Sequence, residues 1–184
     1  ADQAIASLED LSTTTDGPIK LVSESGSITV EGGSDDQGVS AAGSGDVLLE
    51  ARGVASDLVI NAEVVSGTGN ITLDAGNDLA VNASVATGGI GTLYLASGNN
   101  TTVASQLTSA SGDLLIESVG DISQSAAITS TSGDVGLIAG VALTQTTNGD
   151  IDTDGDVLLE AGSDWTMAGD AVVSATGNVV GRAL

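Results

Sequence analysis

The chain has 184 residues, enough for one domain with a sizeable core, and its 25 acidic residues against three basic ones give a net charge of −22. Three scattered cations, Lys20, Arg52 and Arg182, cannot form the basic surface that nucleic acid or anionic lipid requires, so we expect neither as a partner. The absence of Cys and His excludes disulfides and thiolate or imidazole metal sites, and no apolar run is long enough to predict membrane insertion.

The apolar residues are almost all aliphatic. The sequence has no Phe and a single copy each of Tyr94, Trp165 and Met167, so Ala, Val, Leu and Ile must fill the interior. A core without aromatic residues predicts a narrow interior, about one side chain deep. The 26 glycines against one proline indicate many tight turns and little flexible linker.

The first 44 residues repeat less regularly than the rest. Residues 1–16 predict either an incomplete coil, with Ile5 and Leu11 inward, or a short capping helix. We expect residues 17–184 to form one domain of stacked repeats, with a loop insertion at 31–44. Its first coil starts at Gly17 or, alternatively, at Gly26. We also expect the chain to be a piece of a longer repeat protein.

An internal repeat follows from Gly45 onward. A glycine followed mainly by Asp or Asn and then by alternating apolar residues recurs at intervals of 24, 22, 21, 21, 22 and 22 residues. The seven positions are Gly45, Gly69, Gly91, Gly112, Gly133, Gly155 and Gly177.

Each repeat contains three short runs with period-two alternation, separated by turns. In the repeat from Gly69 these runs centre on Leu73, Leu79 and Val85. Period-two alternation indicates strands with one face buried, and a fixed 22-residue phase favours parallel stacking of equivalent strands over hairpins. The sequence therefore predicts an all-β, right-handed parallel β-helix, a β-solenoid with about 22 residues and three short strands per coil.

Two stretches of the repeat also point to a family. The sequence GDVLLEA from Gly45 and DLVINAEVVSGTGN from Asp57 resemble the repeats of filamentous-haemagglutinin-type bacterial exoproteins. This resemblance covers about residues 45–181. It implies a large adhesin at the bacterial cell surface or secreted outside the cell. It also implies that host- or neighbour-cell surface glycans or proteins are bound through other parts of the parent protein.

The densest cluster of acids lies near residue 150. Asp150, Asp152, Asp154 and Asp156 alternate with other residues around Gly155, which is similar to the first half of an EF-hand-type calcium loop. We therefore predict these four residues as a Ca²⁺ site, although Ala161 stands where the motif needs Glu. The alternative interpretation is a solvated turn. The sequence requires no cofactor.

Asp and Asn also recur at two turn positions of the repeat. Such residues favour turns, and stacked carboxylates also attract cations. The first ladder consists of Asp46, Asn70, Asp113, Asp134, Asp156 and Asn178, and the second of Asp57, Asp78, Asn100, Asp121 and Asp164.

These residue types argue against catalysis, because without His or Cys only carboxylates could perform acid–base chemistry. We expect a non-catalytic structural or adhesive segment, stabilised by cations. The alternative is a carbohydrate- or protein-ligand-binding module with a site near the 31–44 insertion. Tyr94, which alternates with Leu93 and Leu95, is expected to point outward, whereas Trp165 shares the inward phase of Leu79.

Overall fold

The computed structural model describes residues 10–33 and 36–184, and these residues form three parallel β-sheets. The chain winds through the sheets in turn, in stacked coils of about 22 residues that make a β-solenoid of about 7 turns. The described residues contain no helix. The predicted all-β solenoid with three short strands per coil is confirmed.

Sheet 1 contains the longest strands, with five residues in each. Its strands, in stacking order, are β2 (Ile19–Ser23), β5 (Val47–Ala51), β8 (Ile71–Ala75), β11 (Leu93–Ser97), β14 (Leu114–Ser118), β17 (Val135–Ala139), β20 (Val157–Ala161) and β23 (Val179–Ala183).

Apart from one five-residue strand, Gln37–Ala41, sheets 2 and 3 are built from strands of three or four residues. Sheet 2 consists of β3 (Ile28–Val30), β6 (Leu58–Ile60), β9 (Leu79–Val81), β12 (Thr101–Val103), β15 (Ile122–Gln124), β18 (Ala142–Gln145) and β21 (Asp164–Met167). Sheet 3 consists of β1 (Leu11–Thr13), β4 (Gln37–Ala41), β7 (Glu63–Ser66), β10 (Val85–Thr87), β13 (Leu107–Ser109), β16 (Ile128–Ser130), β19 (Ile151–Thr153) and β22 (Val173–Ala175).

The core is a thin aliphatic channel between the three sheets. Side chains alternate across a strand, so β8 turns Ile71 and Leu73 inward, where both are fully buried, and turns Thr72 outward. The register places Leu73 between Leu49 and Leu95 of the adjacent coils. Equivalent residues of successive coils therefore lie over one another, as the periodicity predicts.

The irregular spacings of the early coils are accommodated at corners. β3 ends at Val30 and β4 begins at Gln37, so the surplus residues lie between sheets 2 and 3 while β4 still pairs with β7. A second, shorter surplus between β5 and β6 contains Arg52 and lies between sheets 1 and 2. Insertions at corners leave the inward phase of the strands unchanged.

The two ends of the chain differ from the middle. Of residues 1–16, the first nine, with Ile5, lie outside the described residues, and Leu11–Thr13 forms β1, which pairs in parallel with β4. In the last coil Gly181 occupies the inward position that Leu159 holds one coil earlier. A Cβ at Gly181 would overlap the ring of Trp165, so the indole fills the space that a leucine takes elsewhere.

Candidate functional site

The four residues predicted as calcium ligands lie along β19 and the two turns that flank it. Three of their carboxylates accept hydrogen bonds from the next coil. Asp150 Oδ1 accepts from the backbone N–H of Val172 at 2.8 Å, and Asp154 Oδ1 accepts from the Thr176 hydroxyl at 2.9 Å. Asp156 Oδ1 accepts from the backbone N–H of Asn178 at 2.6 Å.

The fourth residue, Asp152, points outward from the middle of β19. It is exposed and lies in register with Thr129 and Ser174. Among residues 10–33 and 36–184, no group of three or more Asp, Glu, His or Cys residues is arranged to hold a metal ion. The structure therefore spreads the four carboxylates along the strand and does not bring them together. Calcium binding stays a prediction.

The first Asp/Asn ladder lies at the corner that leads into sheet 1. Asp46 Oδ1 accepts the backbone N–H of Asn70 at 2.7 Å, and Asp113 Oδ1 accepts that of Asp134 at 2.9 Å. Asp134 Oδ1 in turn accepts the N–H of Asp156 at 2.8 Å. Each carboxylate thus stabilises the same turn one coil later, and one of its oxygens is committed to that bond. This geometry matches the turn interpretation of the ladder.

The second ladder lies at the corner between sheets 1 and 2 and makes the same type of bond. Asp78 Oδ1 accepts the N–H of Asn100 at 3.0 Å, and Asn100 Oδ1 accepts that of Asp121 at 2.9 Å. Asn99 adds a side-chain amide bond to Asp78 at 2.8 Å. The positions were predicted from the sequence, but the donors one coil away were not, because they lie 21 or 22 residues away along the chain.

A third ladder, inside the solenoid, was missed. Buried hydroxyl groups at the end of the sheet 3 strands donate to the carbonyl of the repeat glycine 18 to 21 residues earlier in the chain. Thr87 Oγ1 donates to Gly69 O at 3.0 Å, and Ser109 Oγ donates to Gly91 O at 3.2 Å. A Cβ on Gly91 would overlap the Gly69 carbonyl oxygen, so the repeated glycine lets the coils stack closely. The signal was a Ser or Thr in inward phase shortly before five of the seven repeat glycines, whereas Ala41 and Ala175 take this position before Gly45 and Gly177.

The members of this buried hydroxyl ladder and its carbonyl partners follow one pattern. The pairs are Ser66 with Gly45, Thr87 with Gly69, Ser109 with Gly91, Ser130 with Gly112 and Thr153 with Gly133.

A pair of buried amides forms another polar element of the core. Gln124 and Gln145 both point inward from sheet 2 and are 0% and 1% exposed. Gln145 Nε2 donates to Gln124 Oε1 at 3.0 Å, and Gln145 Oε1 accepts from the Trp165 indole N–H at 3.1 Å. Among the described residues, no buried side-chain nitrogen or oxygen lacks a partner. The hydrogen bonds therefore offset the cost of removing these polar groups from water and link adjacent coils.

A cleft of about 400 Å³ lies beside the 31–44 insertion, at the corner between sheets 2 and 3. Its walls are mainly polar, and Glu63 within it accepts a hydrogen bond from the Ser84 hydroxyl at 3.2 Å. Asn61 Nδ2 donates to Glu31 Oε1 at 2.9 Å at its edge. The cleft is lined by Asp36, Gln37, Asn61, Ala62, Glu63, Ala83 and Ser84. The cleft is open to solvent and bordered by carboxylate and amide side chains.

The outer face of sheet 1 holds the perturbed titratable groups. Tyr94 points outward, as predicted, and its hydroxyl donates to Glu117 Oε2 at 2.7 Å, which raises the pKa of Tyr94 to about 12. The pKa of Asp74 is raised by burial and secondarily by the charge of Glu50. The Arg52 guanidinium, hydrogen-bonded to Glu50, holds the pKa of that carboxyl below its usual range.

No protein-family model, no curated protein and no solved structure matches the chain. A search of the described residues for a helix long and apolar enough to cross a membrane finds none.

Proposed function

We propose that this chain is a non-catalytic structural and adhesive segment of a large bacterial surface or secreted protein. In this role it acts as a spacer outside the cell that holds its shape and presents other parts of the parent protein. The repeats resemble those of filamentous-haemagglutinin-type exoproteins, which supports the same assignment.

The observation that carries the proposal is the uninterrupted parallel pairing along the solenoid axis. In sheet 1, every strand from β5 to β20 pairs on both sides with its equivalent in the neighbouring coils. Each coil mainly contacts its neighbours, so a stack of this kind grows in length by adding coils without changing its cross-section. A scaffold whose length is set by coil number suits a spacer.

The non-catalytic part of the proposal is supported by residue types. The sequence contains no His and no Cys, and the ladder carboxylates accept backbone N–H groups of the next coil. Carboxylates held in this way stabilise turns, and the net charge of −22 draws cations to the outer faces. Ca²⁺ uptake by these acidic faces is part of the proposal.

Deletion of a whole coil tests the spacer role. Removal of residues 112–132 joins equivalent positions, because Gly112 and Gly133 are one 21-residue repeat apart. We expect this variant to keep its β circular-dichroism spectrum. Displayed on a bacterial surface with an epitope after Leu184, it should present the epitope to antibody as well as the parent does.

A matched control removes residues 112–121 and shifts the strands out of phase. This variant should lose both the spectrum and the epitope signal, because its inward side chains no longer stack. Equal behaviour of the two deletions would contradict a spacer built from interchangeable coils.

A thermal melt in millimolar CaCl₂ against a chelator tests cation uptake. A higher midpoint in calcium is expected, since a ligand that binds only the folded state stabilises it. An identical midpoint in calcium and chelator would remove Ca²⁺ from the proposal.

The cleft beside the 31–44 insertion supports a second candidate function, a carbohydrate- or protein-ligand-binding module. Glu63 lies in its wall, so Glu63→Gln removes one charge at the cleft. Asp152 lies on sheet 3 several coils away, so Asp152→Asn removes one charge at a distance from the cleft. Binding on a glycan or surface-protein array that Glu63→Gln abolishes and Asp152→Asn preserves would favour this function. Background signal throughout would favour the spacer.

A further inference from the structure

The outer face of sheet 1 differs in chemistry from the rest of the surface. Its five-residue strands turn two side chains per coil to solvent, which form two columns along the solenoid axis. The apolar column includes Leu48, Tyr94, Leu115 and Leu158. The acidic column includes Glu50, Asp74, Glu117 and Glu160, with Ala96 and Ile138 in the coils between the last three acids.

The other two sheets present much smaller side chains. The outward positions of sheet 2 hold Thr102, Ser123 and Thr144 in successive coils, and those of sheet 3 include Thr108 and Thr129. Among the three sheets of the described residues, sheet 1 therefore differs from sheets 2 and 3 by a row of large apolar residues on its outer face. Such a row beside charged residues is typical of a protein interaction surface.

A hollow interrupts the apolar column at Gly136. The residue lies in register between Leu115 and Leu158 and has no side chain of its own. The terminal Leu115 Cδ1 would lie only 2.9 Å from a Cβ at Gly136, so Leu115 leans over the edge of the hollow. Leu115 Cδ1 is the flexible end of its side chain, and it must move aside for an apolar side chain of a partner to enter.

The acidic column is regularly spaced and already binds cations of the chain itself. Asp74, Glu117 and Glu160 are each two coils apart, which is about 9.6 Å for strands spaced by about 4.8 Å. Arg52 pairs with Glu50 at one end of the column, and Arg182 pairs with Glu160 at the other. Between Arg52 and Arg182 the sequence contains no basic residue.

We propose that this face binds a basic, partly apolar peptide segment of a partner protein, whose cations lie against Asp74 and Glu117 and whose apolar side chain enters the hollow at Gly136. Guanidinium groups already occupy both ends of the column, and a cationic partner extends that pairing through the middle. A second copy of the chain is the wrong occupant, because its charge of −22 would set acid against acid. The inference goes beyond the spacer role and does not depend on it.

Fluorescence anisotropy of the full chain with labelled 12-residue peptides tests this surface. The probe alternates Lys with Leu, and a second peptide of equal charge alternates Lys with Ser. At 150 mM NaCl we expect the Lys–Leu peptide to bind at least tenfold more tightly. Equal binding of both peptides would overturn the proposal, because general attraction between opposite charges would explain it. The absence of binding would also overturn it.

Point variants locate the binding. Glu117→Gln and, independently, Asp74→Asn should weaken binding of the Lys–Leu peptide at least threefold, and Gly136→Leu should do so by filling the hollow. Asp152→Asn removes the same charge from the outer face of sheet 3 and should leave the affinity unchanged. Melting midpoints confirm that the variants are folded. Equal weakening of peptide binding by Asp152→Asn and Glu117→Gln would refute the assigned face. Self-association of the chain in sedimentation velocity that competes with the peptide would refute it as well.

Discussion

The substitution Gln145→Met isolates the polar link between coils. Methionine keeps the length and shape of glutamine but removes both polar atoms. Three groups then lose a hydrogen bond: Gln124 Oε1, the carbonyl of Gly149, which accepts from Gln145 Nε2 at 3.2 Å, and the Trp165 indole. The indole lies in a partly exposed residue and can reach water, whereas Gln124 and Gly149 are buried.

The expected magnitude follows from those two buried groups. A buried donor or acceptor left without a partner costs about 1–3 kcal/mol, so Gln145→Met should lower the free energy of unfolding by about 2–4 kcal/mol after the apolar gain. For a domain of this size, each kcal/mol lowers the melting temperature by about 2–4 °C.

The double variant Gln124→Met/Gln145→Met distinguishes a lost hydrogen bond from a packing defect. It removes the orphaned Gln124 oxygen as well. Gln124 Nε2 also donates to the carbonyls of Ala126 and Asp150. Asp150 O still accepts the backbone N–H of Ile128 at 2.9 Å, and Ala126 is partly exposed, so its carbonyl can reach water. We therefore expect the double variant to be more stable than the sum of the single variants predicts, with a coupling of about 1–2 kcal/mol.

Urea unfolding followed by circular dichroism measures all three variants, with the transition slope as a check on two-state behaviour. Strictly additive single effects would refute the inference that the amide pair acts as one unit. A Gln145→Met variant as stable as the parent would refute the claim that the pair is shielded from water.

Other substitutions test the phase, the last coil and the ionisable face. Ile116→Asp should unfold the stack, because it replaces a fully buried side chain, whose burial is worth about 1.5–3 kcal/mol, with a charge. The neighbouring Leu115 points outward, so Leu115→Asp should keep the β circular-dichroism spectrum. A folded Ile116→Asp variant would contradict the inward assignment of Ile116. Gly181→Ala should displace the single Trp165 and shift its fluorescence to the red, and adding Trp165→Leu should recover stability in urea unfolding; an unchanged emission spectrum would count against the overlap. The pKa of Tyr94 is about 12 in the folded chain and about 10 in the unfolded chain. The resulting stabilisation is complete below pH 10 and is lost as the pH rises through 12. Urea denaturation between pH 9 and 12 should therefore show a steeper decline in the free energy of unfolding for the parent than for Tyr94→Phe.

Several features of the molecule could be read from local sequence pattern. Alternation with period two assigned Leu73 and Ile116 to the interior and Tyr94 to the outside, and the register confirms all three. The surplus was predicted within residues 31–44, of which Gln37–Ala41 forms β4 in sheet 3. Extra residues at a corner lengthen one interval without changing the phase of the strands that follow.

The partners of the polar side chains could not be read in this way. In the linear sequence the acids around Asp150 resemble a calcium loop. In the fold, three of them accept hydrogen bonds from the following coil, about 22 residues further on. The hydroxyl of Ser109 was not recognised as a partner of the Gly91 carbonyl, because hydroxyl direction depends on the spacing of stacked coils.

The sequence by itself determined the coil length, the three strands per coil, the aliphatic interior and the acidic surface. These properties follow from repeat period, side-chain alternation and residue type, which are all local. Only the tertiary structure decided which groups meet across coils: the amide pair of Gln124 and Gln145, the hollow at Gly136 and the two columns on sheet 1. Such contacts depend on stacking at about 4.8 Å, which brings together residues that are a whole coil apart in the chain.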